Sequence, residues 1–408
     1  MKNDWQTWLM IGATGFGGPA GQVAILHREL VERRRWLDEE EFLAALRVCM
    51  LLPGPEAQQL ATYAGWRRGG LAGGLLSGTL FVLPGAALVT LLAWLHAAGG
   101  SSPLIAAAFA GTRPAVVALV VLAAWRIGRK SLRSPAAIVV MLAALAALAY
   151  GIAFPLVVLA AGLLGCLLLP APAANAGLGA VATQPARWAA VRHLVAVAGV
   201  AAILWAACLW GVTATHAAGG RGPAIARLFT TTTLLSLGGA YAVVPWALDE
   251  SVARDWLDAD ERFTALAMGE ATPGPLILVV TFIGFMAGWK GMPAAATQAG
   301  LEGAAVATLF AFLPSFALIF GLAPFVRSIH PGSWLGRAMT AVGAAVVAAI
   351  LLLACNLAVA AFCPGGRLDL LAVVVACAAA ALLVTGRVST PLVVLAAAAL
   401  GGITSLVR

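Results

Sequence analysis

Phe16-Gly17-Gly18-Pro19, then Trp36-Leu37-Asp38, then Pro53-Gly54-Pro55: this order of motifs occurs twice in the chain. The second copy consists of Gly238-Gly239, Trp256-Leu257-Asp258 and Pro273-Gly274-Pro275. From the tryptophan to the Pro-Gly-Pro motif, each residue of the second copy lies 220 positions after its equivalent in the first. Proline interrupts a helix because it has no backbone N–H to donate, and glycine does so because its backbone is conformationally free. In an apolar chain, a duplicated pair of interrupted segments is typical of a transporter and points to its substrate site.

The composition indicates a membrane protein. Hydrophobic residues make up 62% of the 408 positions and charged residues 10%, and the mean hydropathy is +0.96. A soluble domain carries about 25% charged residues, so this chain could not cover a water-facing surface. Apolar runs of about 18 residues or more, such as 136–169, are long enough to cross a bilayer as helices. We therefore expect an all-α polytopic membrane protein.

The net charge of +8 fits the same class of protein. In a membrane protein, positive residues collect in cytoplasmic loops and set the topology, so no nucleic-acid partner is expected. The six cysteines have no CxxC spacing, and we expect neither a metal site nor a cofactor. The lipid bilayer is the expected surrounding, and a homodimer remains open.

The chain divides into two halves and a joint. Residues 1–170 are predicted to form a first membrane repeat and residues 226–408 a second. Between them, residues 171–225 hold a Pro/Ala/Gly-rich linker and an apolar segment at about 193–216. That segment adds one crossing, which would invert the second repeat relative to the first.

The Lys/Arg distribution favours re-entrant hairpins over plain spans. If the interrupted segments enter and leave on one side, 16 of the 25 Lys/Arg become cytoplasmic. Roughly thirteen plain spans remain the alternative, and both arrangements give inverted halves. The four interrupted segments are roughly 5–27, 42–66, 228–248 and 263–288.

The breaks themselves are the predicted substrate site. Each break exposes N–H groups at the start of the helix that follows it, and lipid cannot satisfy them. An anion can do so, and the helix dipole favours it, although unwound carbonyls could serve a cation instead. The residues predicted to bind substrate at the breaks are Gly17, Gly18, Pro19, Pro53, Gly54, Pro55, Gly238, Gly239, Pro273, Gly274 and Pro275.

Charged residues within apolar stretches are costly in lipid and are therefore functional candidates. Arg47 and Arg113 are predicted to bind and orient a tetrahedral oxyanion through their bidentate guanidinium groups. The alternatives are that Arg47 extends to the membrane surface and that Arg113 pairs with an acid such as Glu302 or Glu56. The carboxylates Glu56, Glu270 and Glu302 are candidates for coupling, by carrying a proton or neutralising an arginine.

The two copies together resemble the chromate ion transporter family in its long, two-domain form. The resemblance rests on Phe16-Gly17-Gly18-Pro19 through Pro53-Gly54-Pro55, and on Leu237 to Tyr241 through Thr272-Pro273-Gly274-Pro275. It covers essentially the whole chain and implies export of chromate from the bacterial cytoplasm across the plasma (inner) membrane, with chromate resistance. The copies differ where Ala240 replaces Pro19 and where Leu276 replaces Glu56, so the halves are expected to contribute unequally.

Three functions follow from these features. The first is a secondary transporter that exports chromate, driven by the membrane potential or an ion gradient. The second is a carrier of sulfate or another oxyanion, with uptake as an option for its direction. The third is a membrane-embedded enzyme or an assembly subunit. The chain contains no HExxH, GxSxG or nucleotide-binding loop, which argues against an enzyme and against an ATP-driven pump.

Overall fold

The computed structural model of the protein describes residues 4–99, 102–168, 184–237, 239–326, 333–386 and 388–407. All regular secondary structure in these ranges is helical, which confirms the predicted all-α class. Gly238 of the predicted site and most of the predicted linker lie outside the described residues.

Five helical stretches of the described chain are long and apolar enough to cross a membrane. These stretches are Glu56–Ala98, Pro103–Ser131, Ala190–Ala214, Pro293–Phe325 and Gly336–Phe362. They confirm a multi-pass membrane protein.

Eight helices belong to the first half of the chain and one follows it. In order they are α1 Asp4–Thr14, α2 Gly18–His27, α3 Glu39–Cys49, α4 Glu56–Ala98, α5 Pro103–Gly111, α6 Arg113–Ser131, α7 Pro135–Ala149, α8 Phe154–Leu168 and α9 Gln184–Ala214. Helix α4 has two parts, because the backbone angles of Gly69 and Gly70 are non-helical. The helices of the second half are α10 Gly222–Leu235, α11 Val244–Ala253, α12 Glu261–Ala271, α13 Val279–Gly291, α14 Ala296–Leu322, α15 Ser333–Phe362, α16 Leu370–Thr385 and α17 Thr390–Val407.

Each of the four predicted interruptions separates two helices. The breaks fall between α1 and α2, α3 and α4, α10 and α11, and α12 and α13. The helices that lead into them have 11 to 14 residues and rise about 16–21 Å, little more than half of the roughly 30 Å hydrocarbon core. Whether the interrupted pairs are re-entrant hairpins stays a prediction.

The apolar run 136–169 is not one long helix. It divides into α7 and α8 at a turn in which Gly151 has a φ of +83°. A continuous helix over this run would be about 50 Å long, more than a bilayer core needs.

The turns that precede the Pro-Gly-Pro motifs have the same conformation in both halves. Arg35 and Asp255, 220 residues apart, both have positive φ angles, of 51° and 55°. The backbone N–H groups of Trp36 and Trp256 each donate to a carbonyl five or six residues earlier, at 2.7 and 2.9 Å. An arginine guanidinium lies 5.4 Å from each tryptophan ring centroid. The two motif copies are therefore copies in structure as well as in sequence.

Packing between the halves is reciprocal. Helix α15 packs against α7 and α8 of the first half, while α6 packs against α16 and α5 against α17. Helix α15 is the repeat equivalent of α5 and α6 together. The contacts of α15 with the first half are therefore equivalent to the contacts of α5 and α6 with the second half. This is the pattern of a two-fold relation. The orientation of that axis in the membrane, and with it the inversion, remains a prediction.

Helix α9 lies outside this interlocked core. It packs against α14 and α10, and no residue in its most apolar stretch is buried within the protein. An apolar helix with its surface uncovered fits a position that faces lipid.

Candidate functional site

The glycines of the breaks have backbone conformations that other residues avoid. Gly54 and Gly274, at the centres of the two Pro-Gly-Pro turns, have φ angles of +114° and +100°. Gly17, Gly18 and Gly239 have φ angles of +93°, +67° and +106°. A side chain is strained at such angles, so the chain can turn out of one helix and into the next at these points only with glycine.

The four breaks pair across the two halves. The Gly54 N–H donates to Ser236 Oγ at 2.9 Å, and the Gly274 N–H donates to the Gly15 carbonyl at 3.1 Å. Gly54 and Gly274 are repeat equivalents, and Gly15 and Ser236 correspond in the preceding break. We call Pro53–Pro55 with Ser236, Leu237 and Gly239 the Pro53 centre, and Gly15–Pro19 with Pro273–Pro275 the Pro273 centre.

Buried amide and hydroxyl groups pack around the Pro53 centre. The side chains of Gln58, Gln59 and Ser315 are fully buried. Gln59 Nε2 donates to the Pro53 carbonyl at 2.7 Å, and Ser315 Oγ donates to Gln58 Oε1 at 2.9 Å. A methyl group on Gly54 would lie 2.8 Å from both Gln59 Nε2 and Ser315 Oγ, so the turn fits closely against these side chains.

Glu56 stands at the first position of α4, directly after the Pro53–Pro55 turn. A methyl group built on Gly239 would lie 3.6 and 3.7 Å from its two carboxylate oxygens. The carboxylate therefore faces the opposite break of the Pro53 centre.

The Pro273 centre is held mainly by backbone contacts. Gln22, which is 2% exposed, donates from Nε2 to the Gly274 carbonyl. Helix α4 approaches closely at Gly85, where a methyl group would lie 2.1 Å from the Pro273 carbonyl oxygen. Gly85 and Ser315 are repeat equivalents, so each Pro-Gly-Pro turn is touched by the same position of the other half.

The hydroxyl of Tyr241 donates a hydrogen bond to Glu270 Oε1. Tyr241 follows Gly239 of the Pro53 centre by two residues, and Glu270 precedes Pro273 by three. Both side chains belong to the second half, and their bond joins the two centres.

Positive charge reaches the breaks from α6. Arg126 attracts Glu270, and Lys130 attracts Glu56. The two residues are four apart, so they share one face of the helix. At the equivalent positions of α15 stand Asn356 and Ala360, and this basic face therefore has no counterpart in the second half.

The predicted ligand Arg113 lies elsewhere. Its Nη2 is 2.8 Å from Asp260 Oδ2, and its guanidinium lies 5.7 Å from the Phe263 ring centroid. Asp260 stands at the beginning of α12, whereas the Pro273 break follows the other end of this helix, about 16 Å away. Arg113 therefore pairs with an acid, as the alternative supposed, but that acid is Asp260 and not Glu302 or Glu56. That Arg113 binds the anion stays a prediction.

Arg47 and Glu302 also have defined positions. Arg47 is exposed in the last turn of α3, where a cation complements the helix dipole. Glu302 accepts hydrogen bonds from the Ala218 N–H at 2.8 Å and from Gln298 Nε2 at 2.9 Å. It thus stabilises the turn before α10, and its role in coupling stays a prediction.

A cavity of about 920 Å³ lies between the second part of α4 and α14. Its walls are almost wholly apolar and include Leu83, Trp94 and Phe312. Desolvating a doubly charged anion there without compensating groups would be prohibitive. The polar contacts between the breaks, rather than this cavity, identify the candidate site.

Sequence reasoning missed several groups at the site: Gln22, Ser236, Ser315, Tyr241, Arg126 and Lys130. Ser236 had a usable signal, since it occupies the position of Gly15 when Gly17-Gly18 is aligned with Gly238-Gly239. Arg126 and Lys130 belong to the last turns of α6.

The chromate transporter family profile matches residues 5–166 and 223–403 of the chain. The chain belongs to the chromate transporter family. Members of this family are transport proteins, so the expectation of a non-enzyme is confirmed. The two matched stretches contain the two copies of the motif.

Three relatives illustrate the similarity. A chromate transport protein of Pseudomonas aeruginosa is 35% identical over 77% of this chain and 71% of its own length. A probable chromate transport protein of Synechococcus elongatus is 31% identical over 80% and 77%. A chromate transport protein of Cupriavidus metallidurans is 28% identical over 78% and 73%. No solved structure matches the chain.

Proposed function

We propose that this transporter family member exports chromate from the bacterial cytoplasm across the inner membrane as a secondary transporter. The dianion passes between the four paired breaks. The observation that carries the proposal is the cross-repeat pairing itself. It brings the interrupted helices of both halves together, where transporters with repeated halves hold their substrates.

The Gly17–Gly18 break supplies the donors that an oxyanion needs. Gly17 is exposed, and Gly17 and Gly18 precede or begin α2. Within the described chain, neither N–H has a backbone or side-chain acceptor. Because lipid offers no acceptor, an anion at this helix start satisfies these groups and is favoured by the helix dipole.

The membrane potential favours export of a doubly charged anion. Each charge that leaves a cytoplasm held 100 mV negative gains about 2.3 kcal/mol, so a dianion gains about 4.6 kcal/mol. This free energy corresponds to a concentration ratio of about three orders of magnitude. The potential alone is therefore sufficient for export, and an ion gradient can add to it.

The proposed architecture has two inverted repeats, residues 1–170 and 226–408, with α9 between them. One additional membrane crossing by α9 inverts the second repeat relative to the first. The basic face of α6 then lies at the cytoplasmic end of the site and attracts the anion before it is exported.

The test is uptake of radiolabelled chromate by everted membrane vesicles with and without the protein. A potential made positive inside the vesicle should drive accumulation, and sulfate should be added as a competitor. If vesicles with the protein accumulate no more chromate than those without it, the proposal is wrong. Equal transport of labelled sulfate would make the protein a general oxyanion carrier.

A further inference from the structure

The Pro53 centre has a surplus of acceptors and a shortage of donors. Pro53 and Pro55 have no backbone N–H, and the N–H of Gly54 is already bound to Ser236 Oγ. All three residues of the turn nevertheless carry a carbonyl oxygen with two lone pairs, of which the Pro53 carbonyl accepts one bond from Gln59 Nε2 and the Pro55 carbonyl one from the Gln59 N–H. No N–H of the Pro-Gly-Pro turn is left to bind an oxyanion.

One buried acceptor at this centre has no partner. Gln59 is 0% exposed, and its Oε1 forms no hydrogen bond within the described structure. Its orientation is fixed because Nε2 must face the Pro53 carbonyl, which can only accept. Leaving a buried acceptor unsatisfied costs about 1–3 kcal/mol, so this atom indicates a missing donor or cation.

A protein carboxylate already occupies the helix N-terminus here. Glu56 is the first residue of α4, so its carboxylate stands at the positive end of the helix dipole. Within the described residues no basic group lies within 4 Å of the carboxylate. Cys49 on α3 and Lys130 on α6 interact with this carboxylate electrostatically. A substrate dianion would meet a negative charge here.

We propose that the Pro53 centre is a binding site for a monovalent cation, H⁺ or Na⁺, held by oxygen atoms. The ligands are the Glu56 carboxylate, Gln59 Oε1 and the carbonyls of the Pro53–Pro55 turn. Glu56 and Gln59 are three residues apart and share one face of the first turn of α4. The inference rests on the proposed chromate transport and adds to it a linkage between the cation and the anion.

The sign of that linkage follows from charge. An unoccupied Glu56 carboxylate repels a dianion nearby, and a bound cation neutralises it. Cation binding should therefore strengthen chromate binding, and chromate should strengthen cation binding by the same factor. Linked sites of this kind typically change affinity by about 5–150-fold.

The test is equilibrium binding of labelled chromate to the purified full chain in nanodiscs. Sodium is varied against an impermeant organic cation at fixed pH, and pH is varied without sodium in the alkaline range, where the oxyanion remains a dianion. The wild type should bind chromate at least about fivefold more tightly at high cation, and the titration that produces the change identifies the cation.

Glu56→Gln imitates the neutralised carboxylate. It should bind chromate tightly at every cation concentration, so that the dependence disappears while binding persists. Gln59→Leu removes the unpartnered acceptor and should weaken the cation effect. Glu302→Gln is the matched control, because this carboxylate lies at the turn before α10 and its loss should leave the cation dependence intact.

The outcomes separate the two proposals. If the wild type binds no chromate under any condition, the proposed function fails. If it binds chromate with an affinity independent of both cations, or if Glu56→Gln keeps the full dependence, only the cation site is overturned.

Discussion

Glu56 follows the Pro-Gly-Pro turn at the Pro53 centre, whereas Leu276 follows it at the Pro273 centre. The backbones of the two turns are equivalent: both glycines have φ near +100°, and both N–H groups donate across the repeat. The acceptors differ, a serine hydroxyl in one case and a backbone carbonyl in the other.

The difference shows how one duplicated backbone can carry two chemistries. The glycine and proline positions fix where the helices stop, so they repeat. The side chains that line the breaks are free to diverge. Polar Glu56 and Gln59 surround one turn, and apolar Leu276 and Val279 stand at the equivalent positions of the other. An anion and a cation could thus be bound in one two-fold framework.

The largest expected effect concerns the orientation of the two copies. Reporter enzymes fused after Arg35 and after Asp255, which occupy equivalent turns, should report opposite sides of the membrane. The physical reason is the extra crossing by α9 together with the Lys/Arg distribution. Both reporters active on the same side would show that the halves are parallel rather than inverted.

Replacing either turn glycine should abolish transport. In Gly54→Val and Gly274→Val a β-branched side chain must adopt a φ of +114° or +100°, and at Gly54 it also meets Ser315 and Gln59. The strain alone costs about 1–2 kcal/mol. Chromate uptake should be lost while the protein still inserts, as measured in vesicles with matched protein content.

Gly386→Ala is the control for these variants. Gly386 also has a positive φ, of 66°, but a methyl group there meets no atom within 4 Å. This variant should transport normally. If the Gly54 and Gly274 variants also transport normally, the breaks serve packing alone.

Leu276→Glu would make the Pro273 centre resemble the Pro53 centre. Leu276 is 4% exposed, so the new carboxylate would be buried where the dianion is proposed to pass. The expected result is at least a tenfold loss of chromate affinity, about 1.4 kcal/mol, by charge repulsion. Leu276→Gln introduces a side chain of the same size as glutamate but without the charge, so chromate affinity should fall much less. Equal losses in both variants would attribute the effect to packing.

The arginines should show the smallest and most selective effects. Arg113→Lys should transport almost normally, because lysine can still pair with the exposed Asp260 carboxylate. Arg47→Lys keeps the charge and loses the bidentate guanidinium, so transport should fall clearly if Arg47 binds the anion. Uptake kinetics in vesicles decide this point. A normal rate for Arg47→Lys would leave backbone N–H groups as the main anion donors.

The parts of the fold that could be predicted depend on local chemistry. Pro-Gly-Pro cannot continue a helix, so the breaks at Pro53–Pro55 and Pro273–Pro275 follow from local sequence. The two Gly-Gly breaks follow from the repeat instead, because the pairs Gly73-Gly74 and Gly401-Gly402 lie inside helices. The division of 136–169 had a local signal too, Tyr150-Gly151, but the apolar residues on either side conceal it.

The site contacts that escaped prediction are non-local. Ser236 and Gly54 are 182 residues apart, and Arg113 and Asp260 are 147 apart, so no spacing rule relates them. The middle of the Arg113 segment is apolar by composition, but the helix is interrupted at Thr112 and Arg113 begins a new one. Only tertiary packing decides which acid an arginine meets.

The interlocking of the halves also has a consequence in time. Helix α6 packs against α15 and α16, and α16 begins roughly 240 residues after the end of α6. At about 5–20 residues per second this delay lasts on the order of 10–50 s. Until α16 and α17 are synthesised, the faces of α6 and α5 that pack against them stay uncovered in the membrane. Completion of the fold is therefore a late event, and the nascent first half is exposed to quality-control proteases throughout that interval.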